Sequence, residues 1–362
     1  MAPTVAVLGG GYGGISVAKA LDDVADVVLV EPRDTFVHNV AALRAAVDPD
    51  WTERIFIPYD GLLSRGRVLR DRAVRVHPNA VELGSGGRLA ADYLVLATGS
   101  RSPYPAKLDV EEAAGAAAKL RDTRAALARA GRVLLLGAGP VGLEFAGEIK
   151  AVWPDRSVTV VDPAADLVSG RFPDAFRADL RAQLDGLGVE LLLGTSLREL
   201  PETRPGQPGG FTVTTRSGVS ISADIWFPCH GGTVDSDYLG PELRPARHAD
   251  GRLAVTAELR LPGQETVFAV GDVTAVPEMK QARAAQQHAE VVAANIRTLI
   301  RGGGTLATYQ AAADAIVLPV GPRGGVTYDP EVGLLGAGPS AELKGGLFLD
   351  MYLELLGAAA AR

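Results

Sequence analysis

Glycines at positions 9, 11 and 14, within TVAVLGGGYGG at Thr4–Gly14, are the residues whose spacing points first to chemistry. In G-x-G-x-x-G between a strand and a helix, the first glycine makes the turn. The second lets the backbone approach a diphosphate, and the third lets helix and strand pack closely. The helix end then offers free N–H groups and a favourable dipole to an anion. Gly9, Gly11 and Gly14, with Tyr12 and Gly13 between them, are therefore candidate dinucleotide contacts. Glu31 ends the next apolar run, VVLVEP at Val27–Pro32, where a carboxylate can accept both ribose hydroxyls, flanked by Pro32 and Arg33. The pattern recurs in RVLLLGAGPVG at Arg132–Gly142: Gly137, Gly139 and Gly142, with Pro140 and Val141 in the loop. Asp162 closes the matching run VTVVDP at Val158–Pro163. A 2′-phosphate would face the charge of Asp162, and no arginine follows until Arg171, so NADH is expected over NADPH. The bland alternative for each motif is a glycine-rich turn.

Two further segments say which unit holds a flavin. DYLVLATG at Asp92–Gly99 and TVFAVGD at Thr266–Asp272 read as buried strands ending in tight turns. A flavin needs its ribityl chain and ring fixed as well as its adenosine half. Asp272 can give a carboxylate to a ribityl hydroxyl, and a helix from about Met279 can aim its dipole at the ring's pyrimidine edge. Ala97, Thr98, Gly99, Gly271, Asp272 and Lys280 therefore join the cofactor-binding candidates, with FAD in the first unit and NADH in the second. The competing reading has Asp272 merely capping that helix.

Composition bounds the remaining possibilities. At 362 residues the chain is too long for one ordinary core. With 47% hydrophobic and 22% charged residues it reads as a globular protein, and its 43 glycines have no collagen-like period. A net charge of −7 argues against nucleic acid as a partner. The single cysteine, Cys229, excludes an internal disulfide framework, a four-cysteine zinc site and a CxxC redox pair. Packing is the expectation for Cys229 and loop packing for His230, while His38 and His288 could reach the flavin or be ordinary core histidines. The five histidines show no metal-ligand spacing, so no metal is expected. The chain enters a strand almost at once and has no long apolar run, so a cytoplasmic location without a signal peptide or membrane span is expected.

These residues require elements to position them. The two glycine units imply an α/β fold with two Rossmann-like dinucleotide-binding domains and a C-terminal segment. We expect a discontinuous FAD domain at 1–105 and 245–305, an NADH domain at 106–244, and an acceptor-site or interface segment at 306–362. Helices are expected at Glu111–Ala130, Phe176–Leu187 and Met279–Leu299, and a short one within Leu347–Gly357. Strands are expected at Gly188–Gly194, near Ala315–Pro319, and across 211–228 around a turn at Ser217–Gly218.

Together VLGGGYGG, LVLATGS, LLLGAGPVGLEFAGEI and VFAVGD resemble the two-dinucleotide-domain flavoprotein reductases. FVHNVAALRAAV, IFIPYD and GPRGGV narrow the resemblance to the AIF-like, ferroptosis-suppressor-type NAD(P)H:quinone oxidoreductases, with type II NADH dehydrogenases more distant. The resemblance implies that Arg44 contacts the flavin's phosphates, that the Ala73–Val74 backbone contacts adenine, and that Glu144 lies near the nicotinamide amide. It also implies a lysine, Lys344, close to flavin and quinone, although Gly345–Gly346 depart from the charged residues that follow it in relatives. Tyr12, Lys344 and Phe348 are the acceptor-site candidates, with Tyr12 either covering the cofactor or exposed on its loop. The activity implied is hydride transfer from NADH to FAD and onward to a quinone-type acceptor, with no side-chain nucleophile. An oxidoreductase of a specialised aromatic metabolite and a redox-switched AIF-like flavoprotein remain alternatives. Membrane contact is expected to be at most peripheral, and a homodimer is an option.

Overall fold

The computed structural model describes residues 2–358; residue 1 and residues 359–362, the outer limits of the expected domains, lie outside the described residues. The apolar runs flanking the first glycine loop are too short and too hydrophobic for anything but buried parallel strands. They form the middle of a five-stranded sheet in the order 267–269, 93–96, 4–8, 26–30, 67–69. Val5 is in register with Val27 on one side and Tyr93 on the other, so the strand carrying the first loop is central. The helices Tyr12–Leu21 and Ala282–Ile300 cover one face. A second parallel sheet runs 189–193, 157–162, 132–136, 225–228, again with the loop-bearing strand inside. Its core includes Phe145, Phe176 and Phe227, all fully buried, each such side chain contributing about 1.5–3 kcal/mol.

Elements that the spacing predicts appear close to their expected limits, at Ala113–Arg129, Asp174–Gly186, Val189–Leu193 and Ile316–Pro319. The hairpin Phe211–Thr214 with Ser220–Ala223 turns at Ser217–Gly218. The long helix expected from Met279 begins later, at Ala282, because Gln281 stays extended (φ −138°) and its amide donates to the Ala315 carbonyl at 2.8 Å. An antiparallel sheet of Ala73–His77, Ala80–Leu83 and Arg88–Ala90 had no clear signal, since its strands mix charged and apolar residues without strict alternation.

The C-terminal segment is a three-stranded meander, Ile316–Pro319, Gly325–Asp329 and Gly333–Leu335, then helices Ala337–Lys344 and Leu349–Leu355. Two close backbone contacts fasten it. A Cβ at Gly147, on the second-loop helix, would lie 2.4 Å from the Gly321 nitrogen, and one at Gly61 would lie 2.6 Å from the Leu356 carbonyl oxygen. Glycines in GLEFAGE and GPRGG are thus explained by two segments meeting backbone to backbone.

Candidate functional site

Each loop rises from a central strand into a helix whose first N–H groups have no intrahelical partner. Gly9 and Gly137 have φ of +106° and +124°, the left-handed region that glycine enters without strain. A Cβ at Gly14 would sit 1.8 Å from the Gly9 carbonyl oxygen, and one at Gly142 1.9 Å from that of Gly137. At Gly11 and Gly139 an added Cβ meets nothing within 4 Å. Each loop therefore has a packed floor and an open mouth at a helix N-terminus, which fits a diphosphate.

The two acids repeat one another as well. The Gly10 N–H donates to Glu31 Oε2 at 2.6 Å and the Arg33 N–H to Oε1 at 3.0 Å. The Ala138 N–H donates to Asp162 Oδ2 and the Ala164 N–H to Oδ1, both at 2.7 Å. Each carboxylate is thus fixed beside its glycine loop, where ribose hydroxyls would be accepted. Pro140 opens the second helix at its first turn and Val141 follows it. Gly13 faces elsewhere: a Cβ there would lie 3.0 Å from Val270 Cγ2 and 3.3 Å from the Ala285 carbonyl oxygen, so this glycine serves helix packing. Arg33 donates to the Leu108 carbonyl at 3.0 Å, and Pro32 completes the turn after Glu31.

Asp272 follows Gly271 in a short 3₁₀ turn at the end of the strand Val267–Ala269. Its carboxylate accepts from Ser100 Oγ at 2.6 Å and from Lys107 Nζ at 3.1 Å. Burial works against its ionisation, but Lys107, then Ser100, outweigh that and hold the carboxyl below its usual range. Lys107 was missed by sequence reasoning, because a lone lysine in an irregular loop carries no signal. Its ammonium also donates to the carbonyl and hydroxyl of Ser100, at 2.9 and 2.8 Å. Thr98 exchanges a hydrogen bond with Tyr238 at 3.0 Å, the Ala97 carbonyl lies against Gly9, and Gly99 is left-handed at φ +69°. Burial keeps the Lys280 ammonium below its ordinary range, and that group donates to the Val276 carbonyl at 2.8 Å. Val74, nearly half exposed, sits at an irregularity in the Ala73–His77 ladder, which leaves its backbone outside the regular pairing.

Four charged side chains meet where both sheets' helices and the C-terminal segment converge. Arg44 Nε and Nη2 clamp Glu148, the latter at 2.8 Å, and Nη1 donates to the Gly345 carbonyl at 3.1 Å. Its guanidinium thus bridges a junction between segments, joining Glu148 to the Gly345 carbonyl. One helical turn earlier, Glu144 Oε1 accepts from Lys344 Nζ at 2.9 Å, and Lys344 also donates to the Val317 carbonyl at 3.1 Å. Burial raises the Glu144 carboxyl above its usual range, with the Lys344 charge partly offsetting it. The residues expected at the nicotinamide amide and at the acceptor are therefore direct partners, 200 positions apart.

Tyr12 is not the exposed loop residue of one expectation. Its ring lies edge-on to Phe36 at 5.2 Å and 4.9 Å from the ring of Tyr352. A directed chain of hydrogen bonds explains why it turns inward: the Val40 N–H donates to Tyr12 Oη at 3.0 Å, and the phenol reaches His38 Nδ1 at 3.2 Å. His38 Nε2 completes the chain at the Leu347 carbonyl, 2.8 Å away. Burial pushes the Tyr12 hydroxyl well above its usual range and lowers His38 to about 4, so the imidazole is neutral at pH 7. Leu347 and Phe348 are both left-handed, with φ of 50° and 61°, unusual for side chains of this size. Phe348 is 44% exposed beside this turn.

Cys229 is buried behind Gly137, and burial pushes its thiol up to about 12, which leaves it inert. His230 is exposed on its loop, whereas His288 is buried, its Nδ1 accepting the Gly271 N–H at 3.0 Å. No helix among the described residues is long and apolar enough to cross a membrane.

Comparisons with known proteins place the family and the fold. Apoptosis-inducing factor homolog B of Dictyostelium discoideum is 30% identical over 372 residues, spanning 97% of this chain and 96% of that protein. Ferroptosis suppressor protein 1 of Taeniopygia guttata is 32% identical over 328 residues, covering 89% of this chain and 87% of the relative. The solved sulfide:quinone oxidoreductase of Aquifex aeolicus shares the fold with a TM-score of 0.78 at 20% identity, over 98% of this chain and 91% of that one. Residues 3–289 match the family model described as pyridine nucleotide-disulphide oxidoreductase. With its two glycine-loop units, the chain belongs to that family and is an FAD-dependent oxidoreductase of pyridine nucleotides.

Proposed function

We propose that the chain takes hydride from NADH and delivers two electrons to a quinone-type small molecule. The observation that carries this reading is the site's sulfur chemistry: Cys229 is the chain's one cysteine, and it is buried and inert. The dithiol relay in the family's name therefore has no residues here, which supports a route in which electrons leave the flavin without passing through protein sulfur. The C-terminal segment supports an apolar acceptor, since Leu343, Phe348 and Met351 are exposed on the same segment that carries Lys344. The Aquifex aeolicus neighbour is itself named for a quinone.

In this reading residues 1–105 and 245–305 hold FAD, 106–244 hold NADH, and 306–362 shape the acceptor site. FAD, when bound, supplies the ability to accept a hydride and release electrons as a pair. The protein's part is binding and orientation. The Gly11 and Gly139 openings take the diphosphates, Glu31 and Asp162 the ribose hydroxyls, and Asp272 a hydroxyl of the ribityl chain. Asp162 favours NADH, because a 2′-phosphate would bring like charge to a carboxylate already fixed by two N–H groups. Glu144 and Lys344 supply a carboxylate and an ammonium where nicotinamide and acceptor would approach. The proposal includes a cytoplasmic location with at most peripheral membrane contact.

Anaerobic titration of the flavin-loaded protein with NADH, followed by a panel of quinones, tests the reading. Bleaching by NADH and reoxidation by a quinone faster than by dioxygen is expected. If dioxygen outpaces every quinone, the acceptor assignment fails.

A further inference from the structure

His288 lies on the long helix Ala282–Ile300, almost wholly buried, and the hydride route above makes no use of it. Its surroundings are nonetheless specific. Nδ1 accepts the Gly271 N–H at 3.0 Å, so in the neutral ring the proton belongs on Nε2. Nε2 faces Glu278 Oε1 at 2.8 Å, off the straight N–H line, and neither atom has another partner among the described residues. Glu278 is held in turn: its Oε2 accepts from the Tyr309 hydroxyl at 2.6 Å and from the Ala312 N–H at 3.1 Å. The Tyr309 ring closes edge-on against the imidazole at 4.3 Å. Burial opposes ionisation of Glu278, but contacts from His288 and Tyr309 outweigh it and keep the carboxyl below its usual range. A carboxylate can only accept here, which selects the Nε2–H tautomer and leaves Nδ1 free to receive Gly271.

Gly271 is the residue where the strand Val267–Ala269 turns. Its φ is +74°, its carbonyl accepts from the Thr274 N–H and hydroxyl, and Asp272 follows it directly. The turn is therefore fastened at its carbonyl by Thr274 and at its N–H by an imidazole of fixed tautomer. We propose that His288 is a positioning residue for the flavin: through its Nδ1 it fixes the Gly271 N–H, and so the turn that presents Asp272 to the ribityl chain. This rests on the reading that Asp272 faces FAD, and it adds a Tyr309–Glu278–His288 chain behind that contact.

Nitrogen NMR of the histidine-labelled, flavin-loaded protein reads the tautomer directly. A proton on Nε2 of His288 and slow hydrogen exchange at the Gly271 amide are expected; a proton on Nδ1 overturns the proposal. H288N keeps an acceptor where Nδ1 stands, whereas H288L does not. H288L is expected to weaken flavin retention about tenfold, the scale of one lost hydrogen bond, and to shift the oxidised flavin's absorption, while H288N stays close to the parent. E278Q offers an N–H to Nε2 and favours the opposite tautomer, so it should speed Gly271 exchange and loosen the flavin as H288L does. If H288L fails to fold, H288N against E278Q carries the same contrast. Unchanged flavin retention and spectrum in both H288L and E278Q overturns the positioning role while leaving the flavin site standing. A parent protein that binds no flavin sinks the proposed function itself, and this inference with it, before any variant is made.

Discussion

A single added methyl group separates two kinds of glycine within each loop. At Gly142 it would meet backbone at 1.9 Å, and at Gly139 it would meet nothing. G142A should therefore destabilise the chain by about 1–3 kcal/mol or more, as overpacking does. G139A should cost about 1 kcal/mol at most, the scale of the preference for glycine over alanine at a helix N-cap. Its methyl group would instead fill the mouth where a diphosphate approaches, so nicotinamide-nucleotide affinity should fall while chemical denaturation barely changes. Denaturation curves and NADH titrations of both variants check this. Equal loss of affinity and stability in the two would contradict the assignment. These glycines were legible in the sequence because the chemistry dictates their spacing. Lys107 was not, because it acts on Asp272, 165 positions away, and no local pattern announces it; His288 was visible only as a histidine that could reach the flavin, and its pairing with Glu278 carries no motif.

Between elements, the Arg44–Glu148 pair is a buried ion pair, its side chains each 6% exposed. Removing one partner of a buried pair leaves an uncompensated charge, and R44M is expected to cost about 3–5 kcal/mol. R44M/E148M should recover most of that loss, which equilibrium unfolding of the two single variants and the double variant would measure; strict additivity would show the pair to be uncoupled. The pair also shows where sequence reading runs out for elements. The parallel strands were visible as apolar runs ending in acids, and the helix Asp174–Gly186 as a period. The strands Ala73–His77 to Arg88–Ala90 carry exposed charges on short, irregular ladders and show no such pattern. Arg44 pairs with a residue over a hundred positions away, on a helix of the other sheet. Spacing along a chain does not encode that meeting.

For the molecule as a whole, the C-terminal segment is held by contacts to both sheets' domains, and one of them carries a pH signature. His38 is buried at 0% exposure, and desolvation lowers it from 6.5 to about 4. In the unfolded chain it gains its proton near 6.5, and in the folded chain only near 4. Stability from this group is therefore complete above about pH 6.5 and is lost as pH falls toward 4, by about 3 kcal/mol in total. H38Q should flatten the stability profile between those values relative to the parent, as unfolding at pH 7 and pH 5 would read; parallel profiles would refute the linkage. The duplicated acid-to-loop hydrogen bonds have a consequence of their own. FAD and a nicotinamide dinucleotide share an ADP half, and under the proposed assignment the chain would meet that half twice with the same devices, so neither berth would tell the visitors apart by it. Sorting has to come from what differs around the berths. Beneath the first, the Tyr59 hydroxyl donates to the Gly10 carbonyl and fills the space a side chain would need, whereas the second carries Ala138 at the equivalent place. A chain built by doubling one unit must keep its twins unlike somewhere, and that small asymmetry is a natural place to exchange residues when redirecting which nucleotide lodges where.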